Sequence, residues 1–170
     1  SDKKHPRYAV MQKACKELAD YASSIGGHFA VETGPETAVV LKEFLDSLGS
    51  DGVAVNLDPA NFVMVTGDDP VNAVHTLKKY IVHTHAKDGI KLLDRDPEII
   101  YGIRKEDEME SWGVAFREMP LGQGKVAFGK YLKALDDIGY KGFLTIEREV
   151  GENPVKDIEE AVTFLKTQMN

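Results

Sequence analysis

The chain reads as a single α/β domain, residues 1–170, built from parallel βα repeats. Three observations lead there. Short β-branched runs alternate with stretches of helical period. Gly, Pro and Asp stand where such runs end or where the next helix starts. Four of the runs finish on a polar side chain able to bind a metal. Four parallel strands are too few to close a barrel, and would form half of an eight-stranded one with two open edges and an unpaired inner face.

Taken in order, residues 6–24 have helical periodicity, with Ala9, Val10, Ala14, Leu18, Ala22 and Ile25 as the expected apolar side and Gly26-Gly27 as the stop. Residues 28–33 form a short strand ending at Glu32, and Gly34-Pro35 turns into a helix that Gly49 closes. Residues 52–58 form the second strand; Pro59 bars further regular pairing, and Asp69-Pro70 caps a helix to Lys79. The third strand, residues 80–88, carries two histidines, a lysine and an aspartate, and simple alternation puts Ile81, His83, His85 and Lys87 on one face.

Residues 89–126 have no sustained period apart from a strand-like piece near their end, and long loops in compact domains are usually functional or disordered. A helix at 127–138 stops at Gly139, the fourth strand is 142–147, and Asn153-Pro154 caps a last helix with Val155, Ile158, Ala161, Val162 and Leu165 on its apolar side.

Composition narrows the function. The chain is 42% apolar, enough for one core, and 21 basic against 28 acidic residues give a net charge of −7 with no basic cluster to follow a phosphate backbone. Nucleic acid is therefore not an expected partner. The single Cys15 sits within a helical pattern and reads as a buried structural thiol, which leaves no disulfide framework. With no signal-peptide pattern and no apolar run of about 18–20 residues, the expectation is a cytoplasmic protein without a membrane partner.

Glu32, Asp58, His85 and Glu147 each stand at the carboxyl end of a strand, where neighbouring side chains converge. Singly, a strand-end acid is an ordinary helix cap. Together they offer three carboxylates and an imidazole, a set suited to one divalent ion, Mn, Mg, Co or Zn. Without a cation the three acids would repel one another and take up protons. His83 reads either as a hydrogen-bond partner behind a ligand or as a buried structural histidine. Lys87 reads as a contact to a substrate oxygen or as a surface lysine, and Asp88 as the cap of the next turn. Trp112, Phe116 and Arg117 are read as loop anchors, with lining of the site as the alternative.

On these residues the chain resembles the xylose isomerase-like superfamily of (β/α)8 barrels, the sugar phosphate isomerase and epimerase group. The matching stretches are the strand-end Glu32 with Thr33-Gly34, Asn56-Leu57-Asp58-Pro59-Ala60-Asn61, His83-Thr84-His85-Ala86-Lys87-Asp88, Pro120-Leu121-Gly122-Gln123-Gly124, and Thr145-Ile146-Glu147-Arg148-Glu149. The resemblance implies the carboxyl-terminal half of a barrel, its last four strands, with Glu32, Asp58, His85 and Glu147 as ligands of one divalent ion. It also implies Glu32 and Glu147 as the catalytic pair and His83, Lys87 and Glu118 as substrate contacts. The expected function is isomerisation or epimerisation of a sugar, sugar phosphate or inositol derivative through an enediolate, with inosose dehydration among the reactions of relatives. The half-barrel is completed by a second copy in a homodimer or larger oligomer, or the chain is part of a longer one.

The same superfamily contains zinc-dependent apurinic-site endonucleases, so a metal-dependent phosphodiesterase is the alternative enzyme. This chain has Asn61, Phe116 and Glu118 where those enzymes have further zinc ligands. A non-catalytic half-barrel or sugar-binding module is the alternative outside catalysis.

Overall fold

The computed structural model describes residues 3–105 and 113–169, so Trp112 lies outside them. In chain order the elements are α1 (Tyr8–Ser24), β1 (Phe29–Glu32), α2 (Ala38–Leu48), β2 (Val53–Leu57), α3 (Pro59–Asn61), α4 (Pro70–Leu77), β3 (Ile81–Ala86), β4 (Asp88–Lys91), α5 (Pro97–Ile100), β5 (Phe116–Met119), α6 (Phe128–Asp137), β6 (Leu144–Ile146) and α7 (Pro154–Gln168). The parallel strands β1, β2, β3 and β6 form one sheet in that order, with β1 and β6 at its edges; no closed barrel forms among the described residues. No helix among them is long and apolar enough to cross a membrane.

Local chemistry sets the element ends. The Thr37 hydroxyl accepts from Val40 N to start α2, and Gly49, at φ 56°, ends it in the left-handed conformation that glycine adopts without penalty. Between them Leu41, Phe44, Leu45 and Leu48 recur at helical spacing and are all buried, each contributing about 1.5–3 kcal/mol of apolar burial. Asp69 and Asn153 cap α4 and α7, each followed by proline at a first-turn position.

The ladder between β2 and β3 contains a bulge that sequence alternation does not reveal. Val55 pairs with Ile81 but Asn56 pairs with His83, so Val82 is the extra residue. This corrects the expectation that Ile81 shares a face with the histidines. Ile81 packs with the helix-side core, whereas His83 and His85 follow Asn56 onto the other face.

Five further expectations change. Residues 59–66 are helical, a short turn running into a π-turn at Phe62–Thr66, where only a break was expected. The supposedly irregular stretch contains the antiparallel pair of β4 and β5 and the short α5. The apolar face assigned to α1 is turned away from the core: Val10 is 69% exposed and Ile25 67%, while Ala19 is buried and Tyr8 and Cys15 pack against the core. Helix α1 carries apolar residues on two sides and, at the end of the helical layer, has neighbours on only one. Cys15 is partly rather than fully buried, and that burial pushes its thiol pKa up. On α7 only Ala161 and Leu165 of the expected face are buried.

Candidate metal centre

The strand order brings four side chains to one end of the sheet. Glu32 is the last residue of β1, Asp58 follows β2, His85 is next to last in β3, and Glu147 follows β6. One ligand atom from each lies within 4.8 Å of every other. His85 Nδ1 faces all three acids, 3.0 Å from Glu147 Oε2, 3.6 Å from Glu32 Oε1 and 3.8 Å from Asp58 Oδ2.

Asp58 divides its two oxygens between structure and site. Oδ1 caps α3 by accepting from Ala60 N at 2.7 Å and Asn61 N at 3.3 Å. Oδ2 is buried without a hydrogen-bond partner, as is His85 Nδ1. An ionised oxygen on a residue with 0% exposure is costly unless something positive meets it. These two bare atoms fit a divalent ion held by mixed oxygen and nitrogen ligands.

Neighbouring residues hold the ligands in place. The Thr33 hydroxyl donates to Asp58 O at 3.0 Å and accepts from Asp58 N at 2.8 Å, locking the end of β1 to the end of β2. Asn61 Nδ2 donates to Thr33 O at 2.9 Å and reaches Glu32 Oε1 at 3.5 Å. The amide of Asn56 lies 3.1 Å from His85 Nε2, on the side of the ring away from the acids. None of these supports was singled out from sequence, because short polar residues near strand ends serve as turn and cap residues everywhere.

The site is strongly polarised. Burial raises the Glu32 pKa, with Glu147 and Asp58 adding to the rise and His85 and Lys87 opposing it. Asp58 holds the His85 imidazole above its ordinary range against burial, and the Glu147 and Glu32 charges add to that. Tyr101, just after α5, is pushed up to about 12 by burial and then by the Asp58 and Glu32 charges, which places a phenol beside the acids that sequence reading passed over.

The residues expected to touch substrate take distinct positions. His83 Nε2 pairs with the Thr145 hydroxyl at 2.8 Å, and its ring meets that of His85 edge-on at 5.9 Å. Lys87 is 3% exposed, neither a surface lysine nor a free donor; its ammonium is bonded to Glu147 Oε2 at 3.1 Å and to Glu149. Glu118 is nearby, but its Oε1 accepts from Arg148 Nη1 at 2.8 Å and Glu149 N at 3.0 Å. Asp88 is no turn cap: its buried carboxylate accepts from the amides of Gly89, Gly122, Gly124 and Val126 and fastens the loop before α6. Phe116 packs on the core, while Arg117 is exposed.

Known proteins resemble this chain in sequence and fold. An inosose dehydratase of Clostridium perfringens is 26% identical over 186 residues, covering 96% of this chain and 58% of that protein. A xylose isomerase domain protein of Planctomyces limnophilus superposes with a TM-score of 0.77 at 29% identity, covering 99% of this chain and 54% of that one. A xylose isomerase-like TIM barrel protein of Mycobacterium smegmatis, solved in complex with magnesium, shares the fold with a TM-score of 0.71 at 18% identity, covering 97% of this chain and 52% of its own. The chain thus spans little more than half the length of these relatives. Residues 2–168 match the sequence model of the xylose isomerase-like TIM barrel, and the chain belongs to that family.

Proposed function

We propose that the chain carries the metal-binding, proton-transferring part of an enzyme that isomerises, epimerises or dehydrates a sugar or polyol. The observation carrying this reading is the convergence of Glu32, Asp58, His85 and Glu147, with Asp58 Oδ2 and His85 Nδ1 buried and unpartnered. The inosose dehydratase among its relatives supports a polyol-derived ketone as substrate class.

Glu32, Asp58, His85 and Glu147 would hold the divalent ion, which would supply Lewis-acid polarisation of a substrate carbonyl and so a more acidic adjacent C–H. Glu32 and Glu147 come from the two edge strands and approach the substrate from opposite sides. Glu147 lies 3.1 Å from the Lys87 ammonium. One of the two glutamates takes the proton and the other returns it. Return to the opposite face of the same carbon inverts it, and return to the neighbouring carbon interconverts ketose and aldose. His83 faces the uncovered side of the sheet and contacts substrate, while Lys87 and Glu118 act through Glu147. The edges of β1 and β6 are open to further strands, so the chain supplies four βα units of a barrel whose remaining strands come from a second copy or from more of the same polypeptide.

Thermal melting after chelation, with and without added Mn²⁺, tests the centre. Ion at about 100 times its Kd stabilises by about 2.7 kcal/mol, and an unchanged midpoint would remove the metal from this account. Incubating the metal-loaded protein with ketoses and inososes in D₂O tests the chemistry. Deuterium is expected at the carbon beside the carbonyl, and none with any substrate would sink the enzymatic reading.

A further inference from the structure

Lys87 and His85 approach the same two carboxylate oxygens. Glu147 Oε2 lies 3.0 Å from His85 Nδ1 and 3.1 Å from Lys87 Nζ; Asp58 Oδ2 lies 3.8 Å and 3.9 Å from the same two nitrogens. On its far side the ammonium meets Glu149 and, at 3.7 Å, Glu118 Oε2. Its side chain is 4% exposed, so this is an enclosed cation with acids on several sides.

We infer that the Lys87 ammonium occupies a second cation position beside the proposed metal, which restricts the centre to one divalent ion. Charge and geometry both support this. Among the described residues, Glu32, Asp58, Glu147, Glu149, Glu118 and Asp157 surround the site and its flank, and the lysine and arginine paired with them are Lys87 and Arg148, the latter already shared between Glu118 and Asp157. Asp58 Oδ2 is fully buried with no hydrogen bond, and its nearest positive group is the Lys87 ammonium at 3.9 Å. Carboxylate oxygens between two cations form a bridge, and a metal pair held this way sits about 3.5–4 Å apart. Lysine is suited to this role because its charge is a compact point on a flexible stem. Without it, Glu118, Glu147 and Glu149 would be left with Asp58 around an uncompensated negative pocket that a hard divalent ion fits. Glu149 is exposed on its outer side and can close onto the smaller ion.

This inference rests on the metal reading above, and counting ions separates the two. Wild type, Lys87→Arg, Lys87→Gln and Lys87→Ala are prepared in Mn²⁺, checked for folding by circular dichroism, and assayed for bound Mn²⁺ per chain by equilibrium dialysis and electron paramagnetic resonance. Wild type and Lys87→Arg are expected to hold one uncoupled ion. Lys87→Ala or Lys87→Gln is expected to hold two, with the spectrum of an exchange-coupled pair. No ion in wild type would defeat the parent reading. One ion in wild type and still one in a folded neutral variant would overturn this inference alone. Failure of both neutral variants to fold in Mn²⁺ would overturn it too, because the second ion is expected to replace the missing charge.

Discussion

The Asn56 amide and His85 Nε2 lie 3.1 Å apart across neighbouring strands, on the side of the imidazole opposite the three acids. A neutral imidazole has one bare nitrogen and one that carries the proton. A cation at Nδ1 requires the proton on Nε2; Asn56 Nδ2 faces that nitrogen while Asn56 Oδ1 is buried without a partner, and the amide turned over, with Oδ1 accepting from Nε2–H, satisfies both groups. Asn56 thereby sets both the tautomer and the tilt of the ring.

Replacing Asn56 with Leu keeps a side chain of similar size on β2 while removing that acceptor. Mn²⁺ affinity is expected to fall about 10–100-fold, with the melting temperature of the metal-free protein little changed. Calorimetric titration of the two proteins measures it, and equal affinities would show that the ring is held by packing alone.

Glu147 Oε2 sits between the Lys87 ammonium, at 3.1 Å, and His85 Nδ1, at 3.0 Å. The change Glu147→Gln keeps its shape but removes its charge and basicity. Deuterium wash-in should drop by about 10²–10⁴-fold while circular dichroism stays that of the wild type. Wash-in at the wild-type rate would assign the proton transfer to another residue.

How far the sequence could be read depends on whether a feature is local. The clustering of Glu32, Asp58, His85 and Glu147 was legible because residue type and place coincide: an acid or histidine stands at the end of each of four β-branched runs. The bulge at Val82 was not, because it exists only in the pairing of β3 with β2 and leaves no mark on the strand itself. Nor was the division of labour in Asp58, since cap and ligand use different oxygens of one carboxylate. Strand β4 was hidden because Asp88-Gly89-Ile90-Lys91 has no alternation; Asp88 points inward to bind amides of a loop 34 to 38 residues further on. For Lys87 the sequence leaves open a substrate contact or a surface lysine, and only the fold brings Glu149 and Glu118 around it.

The raised groups make the stability of the chelated protein depend on pH in one direction. Glu32 is held above its ordinary carboxylate range by burial first, and His85 above its ordinary imidazole range by Asp58 first. A group whose folded pKa is raised binds more protons folded than unfolded across that interval. Its stabilisation is therefore complete below the unfolded value and lost as pH rises through the folded one. The melting temperature in chelator is expected to fall between about pH 5 and about pH 8. Saturating Mn²⁺ should flatten or reverse the slope, because the ion binds the deprotonated ligands. A chelated protein whose stability rises across this range would contradict the assigned environments.

Asp88 and Gly124 form a lock whose parts are expected to couple. The Asp88 carboxylate, 1% exposed, accepts from Gly89 N at 2.8 Å, Gly122 N at 3.0 Å, Gly124 N at 2.9 Å and Val126 N at 3.0 Å. A Cβ at Gly124 would overlap Asp88 Oδ1 and Cγ and the Gly89 nitrogen, so only glycine permits this approach. Gly124→Ala should cost about 1–3 kcal/mol through overpacking. Asp88→Ala, which strands several amides, should cost about 3 kcal/mol or more. Once Asp88 is gone the added methyl has lost two of the three atoms it struck, and the clash with the Gly89 nitrogen remains. The double variant should therefore be less destabilised than the sum of the single changes, by about 0.5–3 kcal/mol. Urea unfolding of the four proteins closes this cycle, and strict additivity would mean that Gly124 is needed for its backbone conformation rather than for its contact with Asp88.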